Sequence, residues 1–408
     1  MKKVILSLLL ILSITSVFAQ RRNVTRARNL AQMENPDFNG AREVIALALK
    51  DSSTYRLPNT WFVAGLIGYK QNEAFNKEMF LGRQIDFVRK GEVIVESMNY
   101  LLKAYELDQN QVDRRGRPVK PRFDASIKAK IKEYYEERHN LFTYGAVLFD
   151  ERKDYKRAVE AFEIFLSIPH IPFMKGVVNI DSTYYQVKYF TALAARNAGM
   201  LDKAIAIHEE MKDGNYEVFF VYQLLYDQYT QLNDTANFIR VLKEGFAKMP
   251  EEPWFLQNLI NYYLLNDYIE ESKHYINIAI QLLPEVAVYH YVKAKISEAE
   301  GNAVEARKSY ERTLELDPTF ADAYAGLGGI IVDEGQKILD EAALKSNREF
   351  NAARVRSRDY FQRALTFFQK AHELKPEEIS YKRNLRTLYY RLDMNEEFEA
   401  MERALGLK

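Results

Sequence analysis

Three prolines set the rhythm of this chain: Pro250, Pro284 and Pro318 stand 34 residues apart, and Pro376 follows 58 later, one more period plus 24 residues. Proline has no N–H to donate and drives the residue before it out of the α region, so it stops helices rather than sitting inside them. Helix stops at a fixed period restrict the chain to repeating helical units. A unit of that size cannot bury its apolar face alone and must stack on its neighbours.

The clearest unit reads GNAVEARKSYERTLELDPTFADAYAGLGG from Gly301. Gly301-Asn302 supplies a turn, since both residues accept backbone angles that stop a helix. Ala306, Tyr310 and Thr313 then follow at i, i+4 and i+7, one stripe of a helix that Pro318 ends. A new helix opens with Tyr324, Leu327 and Gly328 on one face. Small residues such as Ala306 and Gly328 let antiparallel helices approach, and the aromatics fill the space to the next helix. The same phase holds for Tyr222, Leu225 and Tyr226 with Phe238, Leu242 and Gly245, and for Leu256, Leu259 and Tyr263 with Ser272, Ile276 and Ala279. Upstream it is kept by Lys188, Ala192, Gly199, Ala204 and His208, and by Phe142, Gly145, Ala146, Tyr155, Ala158 and Phe162.

These spacings resemble the tetratricopeptide repeat (TPR), whose aromatic, Leu-Gly, aromatic, Ala, aromatic, Ala and Pro positions fall on them. The resemblance implies an all-α chain, a right-handed superhelical α-solenoid of stacked helix-turn-helix units. More narrowly, the stretches IPHIPFMKG, EPWFLQNLINYYL and HELKPE, with a leader followed by Gln20, resemble exported TPR proteins of Bacteroidota. Asp181-Ser182-Thr183 and Asp234-Thr235-Ala236 resemble the short O-glycan acceptor motif of that group.

Four segments are expected. Residues 1–19 read as a secretory signal: Lys2-Lys3, an apolar run from Val4 to Val17, and a cleavage site at Val17-Phe18-Ala19. That run is shorter than the roughly 20 residues a spanning helix needs, so no transmembrane segment is expected after cleavage. Residues 20–108 read as degenerate N-terminal repeats, with Phe38, Ala41, Ile45 and Ala48 in one helix and Trp61, Ala64 and Gly65 opening another. The partner of that second helix is delayed to Val93–Leu107 by an insertion holding Gly82 and Gly91. Residues 109–123 form a basic linker with Gly116, Pro118 and Pro121 among four arginines and Lys120, a solvated loop or a docking patch for an acidic partner. Asp124 is placed to cap the helix that follows.

Residues 124–408 carry the array, with a long helical insertion at about 336–362. From Gln336 to Lys375 there is no Gly or Pro, so both helices of that unit should be long, with the turn near Ser346-Asn347 or Asn351. A dozen added residues per helix would project roughly 18 Å.

Chemistry is sparse. The 57 basic and 57 acidic residues cancel, which gives no global field for nucleic acid. Without cysteine there is no disulfide, no thiol chemistry and no lipid-anchor residue, as suits an exported periplasmic protein that is not a lipoprotein. None of six histidines makes a metal signature, and His208 takes an aromatic packing position. No GxSxG elbow or Walker loop occurs, and Gly326, Gly328 and Gly329 follow no strand. The chain is therefore expected to be no enzyme and to need no cofactor or metal.

TPR arrays bind along a concave face made by first-helix residues, and the resemblance places these at Tyr189, Arg196, Asn197, Phe220, Gln223 and Asp227. The following units give Trp254, Gln257, Asn261, Tyr291, Lys295 and Glu298. Amides, aromatics and mixed charges on one wall suit a protein or an extended peptide, whose backbone offers donors and acceptors every few ångströms. The leading expectation is a periplasmic scaffold that binds protein partners. The aromatics around Trp254 and Tyr291 support a different one, glycan or peptide capture for an envelope uptake system. That likeness is to helical surface glycan-binding lipoproteins, whose anchor cysteine is absent here. No oligomeric state is implied.

Overall fold

The computed structural model describes residues 20–178 and 180–407, so the expected signal at 1–19 lies outside the described residues. The fold is all-α, in two units that divide after Asp234. The first unit holds α1 (20–32), α2 (Phe38–Lys50), α3 (Pro58–Phe80), α4 (Phe87–Gln109), α5 (Asp124–Glu136), α6 (His139–Asp150), α7 (Tyr155–Ser167), α8 (Ser182–Asn197), α9 (Leu201–Met211) and α10 (Val218–Gln231). The second holds α11 (Thr235–Lys248), α12 (Pro253–Leu265), α13 (Ile269–Leu282), α14 (Ala287–Ala299), α15 (Ala303–Leu316), α16 (Ala321–Ala342), α17 (Asn347–Leu374), α18 (Ile379–Arg391) and α19 (Asn395–Ala404). In the second unit every helix packs on the next, hairpin upon hairpin, the construction of an α-solenoid; in the first the same stacking runs from α6 to α10, while α5, α6 and α7 all pack against α4.

The repeat period is written in the backbone. Gly199, Asn233, Asp267 and Gly301, 34 residues apart, all take positive φ, between 55° and 75°. Each ends a first helix in the left-handed conformation that Gly, Asn and Asp tolerate. The following N–H then reaches back five residues, as from Asn302 to the Ser297 carbonyl at 2.8 Å and from Tyr268 to the Tyr263 carbonyl at 2.9 Å. Second helices start on the other side of this turn, where Asn302 caps the Glu305 N–H at 3.2 Å.

The core stripes are those the period demands. Ala306, Tyr310 and Thr313 are buried in α15, and Ser272, Ile276 and Ala279 in α13. The close approaches are made by glycine. A Cβ on Gly145 would come within 2.3 Å of the Phe162 ring, and one on Gly245 within 2.1 Å of the Phe255 ring. Pro250, Pro284, Pro318 and Pro376 all follow second helices.

The next turn position, Gly335, lies inside a helix instead. α16 runs on for 22 residues and α17 for 28, against 13 and 14 in the preceding hairpin. The turn falls at 343–346, where Ser346 and Glu349 exchange hydrogen bonds in a capping box that opens α17. Ser346→Ala is expected to cost about 1 kcal/mol at this helix start. Hydrogen exchange would show it as faster exchange at Glu349 and Phe350.

Two N-terminal features differ in detail from the sequence reading. The stretch between Trp61 and Val93 is mostly helix: α3 continues to Phe80 and α4 starts at Phe87, so Gly91 lies within α4, where Tyr144 packs against it. Asp124 is the first helical residue of α5 and makes no side-chain cap; it pairs with Lys128 at 2.9 Å and accepts from Gln109 at 2.7 Å. The basic run before it is pinned at both ends. Asp113 accepts from the backbone N–H groups of Arg115 and Arg117, and buried Asp108 accepts from those of Arg122 and Phe123. Phe123 stacks on Phe62 at 4.7 Å.

Candidate functional site

The twelve candidate residues divide between the units. In the first, α8 carries Tyr189, Arg196 and Asn197, and α10 carries Phe220, Gln223 and Asp227. Tyr189 is half-buried against Tyr216 and His208, with ring centroids 5.9 and 6.3 Å away. Arg196 lies 3.9 Å from Asp227, a loose pair across the two helices. Asn197 and Phe220 are exposed, and Gln223 is half-buried. Behind this face His208 and Gln228 are fully buried, joined at 3.1 Å. Burial above all, opposed by the Gln228 hydrogen bond and aided by the charge of Arg196, lowers His208 to about 4. It is a neutral packing histidine.

In the second unit, Gln257 and Asn261 are exposed on α12, one turn apart, and half-buried Trp254 packs on Phe255 at 5.3 Å. Tyr291, Lys295 and Glu298 on α14 line a cleft of about 370 Å³ with residues of α15, α16, α17 and α18. Tyr291 leans on Phe320 at 4.8 Å and Tyr310 at 5.9 Å, so little of its ring is free for stacking. Lys295 donates to Glu298 on its own helix. Across the cleft, Asp322 accepts from the Tyr381 hydroxyl and, at 2.8 Å, from Lys375.

The electrostatics fix who donates. Burial pushes Asp322 up, but the Lys375 and Tyr381 hydrogen bonds outweigh it, and the carboxyl ends below its usual range. Burial first and neighbouring carboxylates second push the Tyr291, Tyr310 and Tyr381 hydroxyls up, so all three stay protonated donors. The Tyr310 hydroxyl is buried without a well-formed hydrogen bond, and Glu298 is the carboxylate that faces it. Asp333 is exposed at the rim.

The far wall escaped the sequence reading, although the signal was present. Adding one period to Tyr291, Lys295 and Glu298 lands on Ala325, Gly329 and Val332, and adding it to Val288 lands on Asp322; all four line the cleft. Tyr381 and Phe368 lie beyond the 24-residue interruption, where counting by periods fails. Glycine shapes the floor. The Tyr310 ring lies against Gly326, where a Cβ would come within 2.3 Å, whereas a Cβ on Gly329 would meet nothing within 4 Å.

Helix-turn-helix stacking with this face defines an all-α helical-repeat protein. Among solved structures the chain is similar to TPR proteins. A TPR repeats protein from Bacteroides fragilis is 16% identical, with a TM-score of 0.28, over 62% of this chain and 98% of that one. The C-terminal part of a TPR repeat-containing protein from Cytophaga hutchinsonii is 14% identical, with a TM-score of 0.40, over 64% and 93%. Yeast Tom70 is 15% identical, with a TM-score of 0.35, over 94% and 84%. No protein-family model matches the chain, and no curated protein does. Among the described residues no group of acidic, histidine or cysteine side chains is placed to hold a metal, and no helix is long and apolar enough to cross a membrane.

Proposed function

We propose that this chain is a scaffold that binds protein partners, and that the cleft walled by α14, α16 and α18 takes an extended segment of one. The observation that carries this reading is the open floor at Gly329, flanked by a protonated donor, Tyr291, and by the acceptors Glu298 and Asp322. An extended backbone needs such alternation, while a folded surface would not enter. The carboxylates Glu298, Asp322 and Asp333 outnumber Lys295 along the lining, which favours a segment carrying a basic side chain. The exported, periplasmic address is part of the proposal and rests on the leader of residues 1–19. The non-enzymatic reading rests on the missing catalytic motifs.

A photo-crosslinker at Lys295 in intact cells is expected to capture one dominant protein, and the same probe at exposed Lys308 on α15 is not. Gly329→Leu fills the cleft while gaining about 0.8 kcal/mol of helix propensity. It should cut capture about tenfold, the equivalent of roughly 1.4 kcal/mol, with an unchanged circular dichroism spectrum. Equal capture by Gly329→Leu, or from both probe positions, would overturn the cleft as the binding site.

A further inference from the structure

A second cleft, of about 480 Å³, lies where the extended parts of α16 and α17 meet the end of α18. Its volume is within the range of about 300–1,000 Å³ common for ligand sites. Three arginines line it, Arg354, Arg358 and Arg391, and no acidic side chain does. Its apolar wall is Leu339, Val355 and Phe361.

The arginines are held in different ways. Arg358 donates to the Leu392 carbonyl and to Asp393, each at 2.7 Å, which ties α17 to the end of α18. Arg391 stacks over the Phe361 ring at 4.7 Å and donates to Gln336 at 2.8 Å, so its guanidinium is fixed without a carboxylate partner among the described residues. Arg354 is exposed and makes no ion pair among the described residues. Elsewhere arginines of this chain meet acids, as in Arg42–Glu96, Arg157–Glu92, Arg307–Glu334 and Arg386–Glu402. The fixed guanidinium of Arg391, with the unpaired one of Arg354 on the same wall, can take carboxylates bidentately.

We propose that this cleft binds an acidic peptide segment of a partner protein, one with carboxylates on either side of an aliphatic side chain. The carboxylates would meet Arg354 and Arg391, and the aliphatic group would cover Val355, which is 74% exposed beside these charges. A third of the lining residues are apolar and the chain as a whole is neutral, so a polyphosphate backbone, which needs a broad basic field, fits less well. The site lies on the inserted hairpin and is separate from the cleft at Gly329, so either can fail without the other.

The test is fluorescence anisotropy on the full chain with a labelled peptide, GELEELEG, and its amide counterpart, GQLQQLQG. The acidic peptide should bind at least about tenfold more tightly than the amide and lose affinity as salt rises to about 0.3 M. Arg354→Glu should abolish the preference and Arg354→Gln should reduce it, both with unchanged melting curves because Arg354 holds nothing in the fold. Gly329→Leu should leave it intact. Equal binding of the two peptides, or a preference that survives Arg354→Glu, would overturn the proposal. So would displacement of the peptide by inorganic phosphate or by an eight-nucleotide oligothymidylate at similar concentrations, which would make this a phosphate site. Concentration-dependent self-association that Arg354→Glu abolishes, without peptide binding, would also overturn it, since the occupant would then be a second copy.

Discussion

Phe162→Ala is expected to lower the stability of the first unit by about 3–5 kcal/mol. The side chain is 1% exposed in α7, and its ring lies on the bare backbone of Gly145 in α6 with Phe142 beside it at 6.3 Å. Two helices meet through that ring, and glycine offers no atoms to move into the space it leaves. The deletion therefore costs both the transfer of a benzyl group and an unfilled cavity. Urea denaturation followed by circular dichroism should show a lower midpoint at an unchanged slope. Phe80→Ala, at a side chain 91% exposed, serves as the control and should stay within about 0.5 kcal/mol of the parent. Equal effects at both positions would contradict the packing described here.

The second large effect is with pH. His208 is neutral in the folded chain down to about 4, while an unfolded histidine takes up its proton near 6.5. Between those values the unfolded chain binds more protons, so this contribution is fully present above about 6.5 and is lost as pH falls toward 4. The full loss is of order 3 kcal/mol. His208→Phe with Gln228→Leu removes the histidine together with its buried amide partner, and fits the aromatic position that the repeat provides. Stability of the double variant should fall less steeply than that of the parent between pH 7 and 4.5. Parallel curves would show that His208 takes up its proton in the folded chain as readily as in the unfolded one, against the burial described here.

Local chemistry decided what could be read in advance. Proline stops and the Gly, Asn or Asp at each turn act within a few residues, so the hairpins from Gly199 onward are visible without coordinates. The stripes Ala41, Ile45, Ala48 and Ala306, Tyr310, Thr313 follow from helix geometry alone. Gly91 misleads because glycine marks both a turn and a close approach, and only the Tyr144 ring packed on it tells which. At the cleft, Tyr291, Lys295 and Glu298 are marked by their place in the repeat, while Trp254, Gln257 and Asn261 share the offsets but are not among its lining residues. The partners Tyr381 and Lys375 needed the path of the chain beyond the inserted hairpin. The arginine cleft was invisible for the same reason, since Arg391 is 33 residues from Arg358 and meets it only when α18 packs back on α17.

Gly335 holds the place where a standard unit would turn, yet it sits in mid-helix directly against Tyr360; a Cβ on Gly335 would lie 2.9 Å from the Cβ of Tyr360. Between them lie 24 residues, the same number by which Pro318 and Pro376 exceed one period. The extra chain thus leaves the repeat at one point and re-enters it at the facing point, lengthening both helices without shifting the register of anything before or after. It is a cassette, grafted at a hairpin tip by a matched lengthening of its two arms. Arg354 and Arg358 lie inside it, so the surface they carry could be gained or shed here while the repeat beneath stays unchanged.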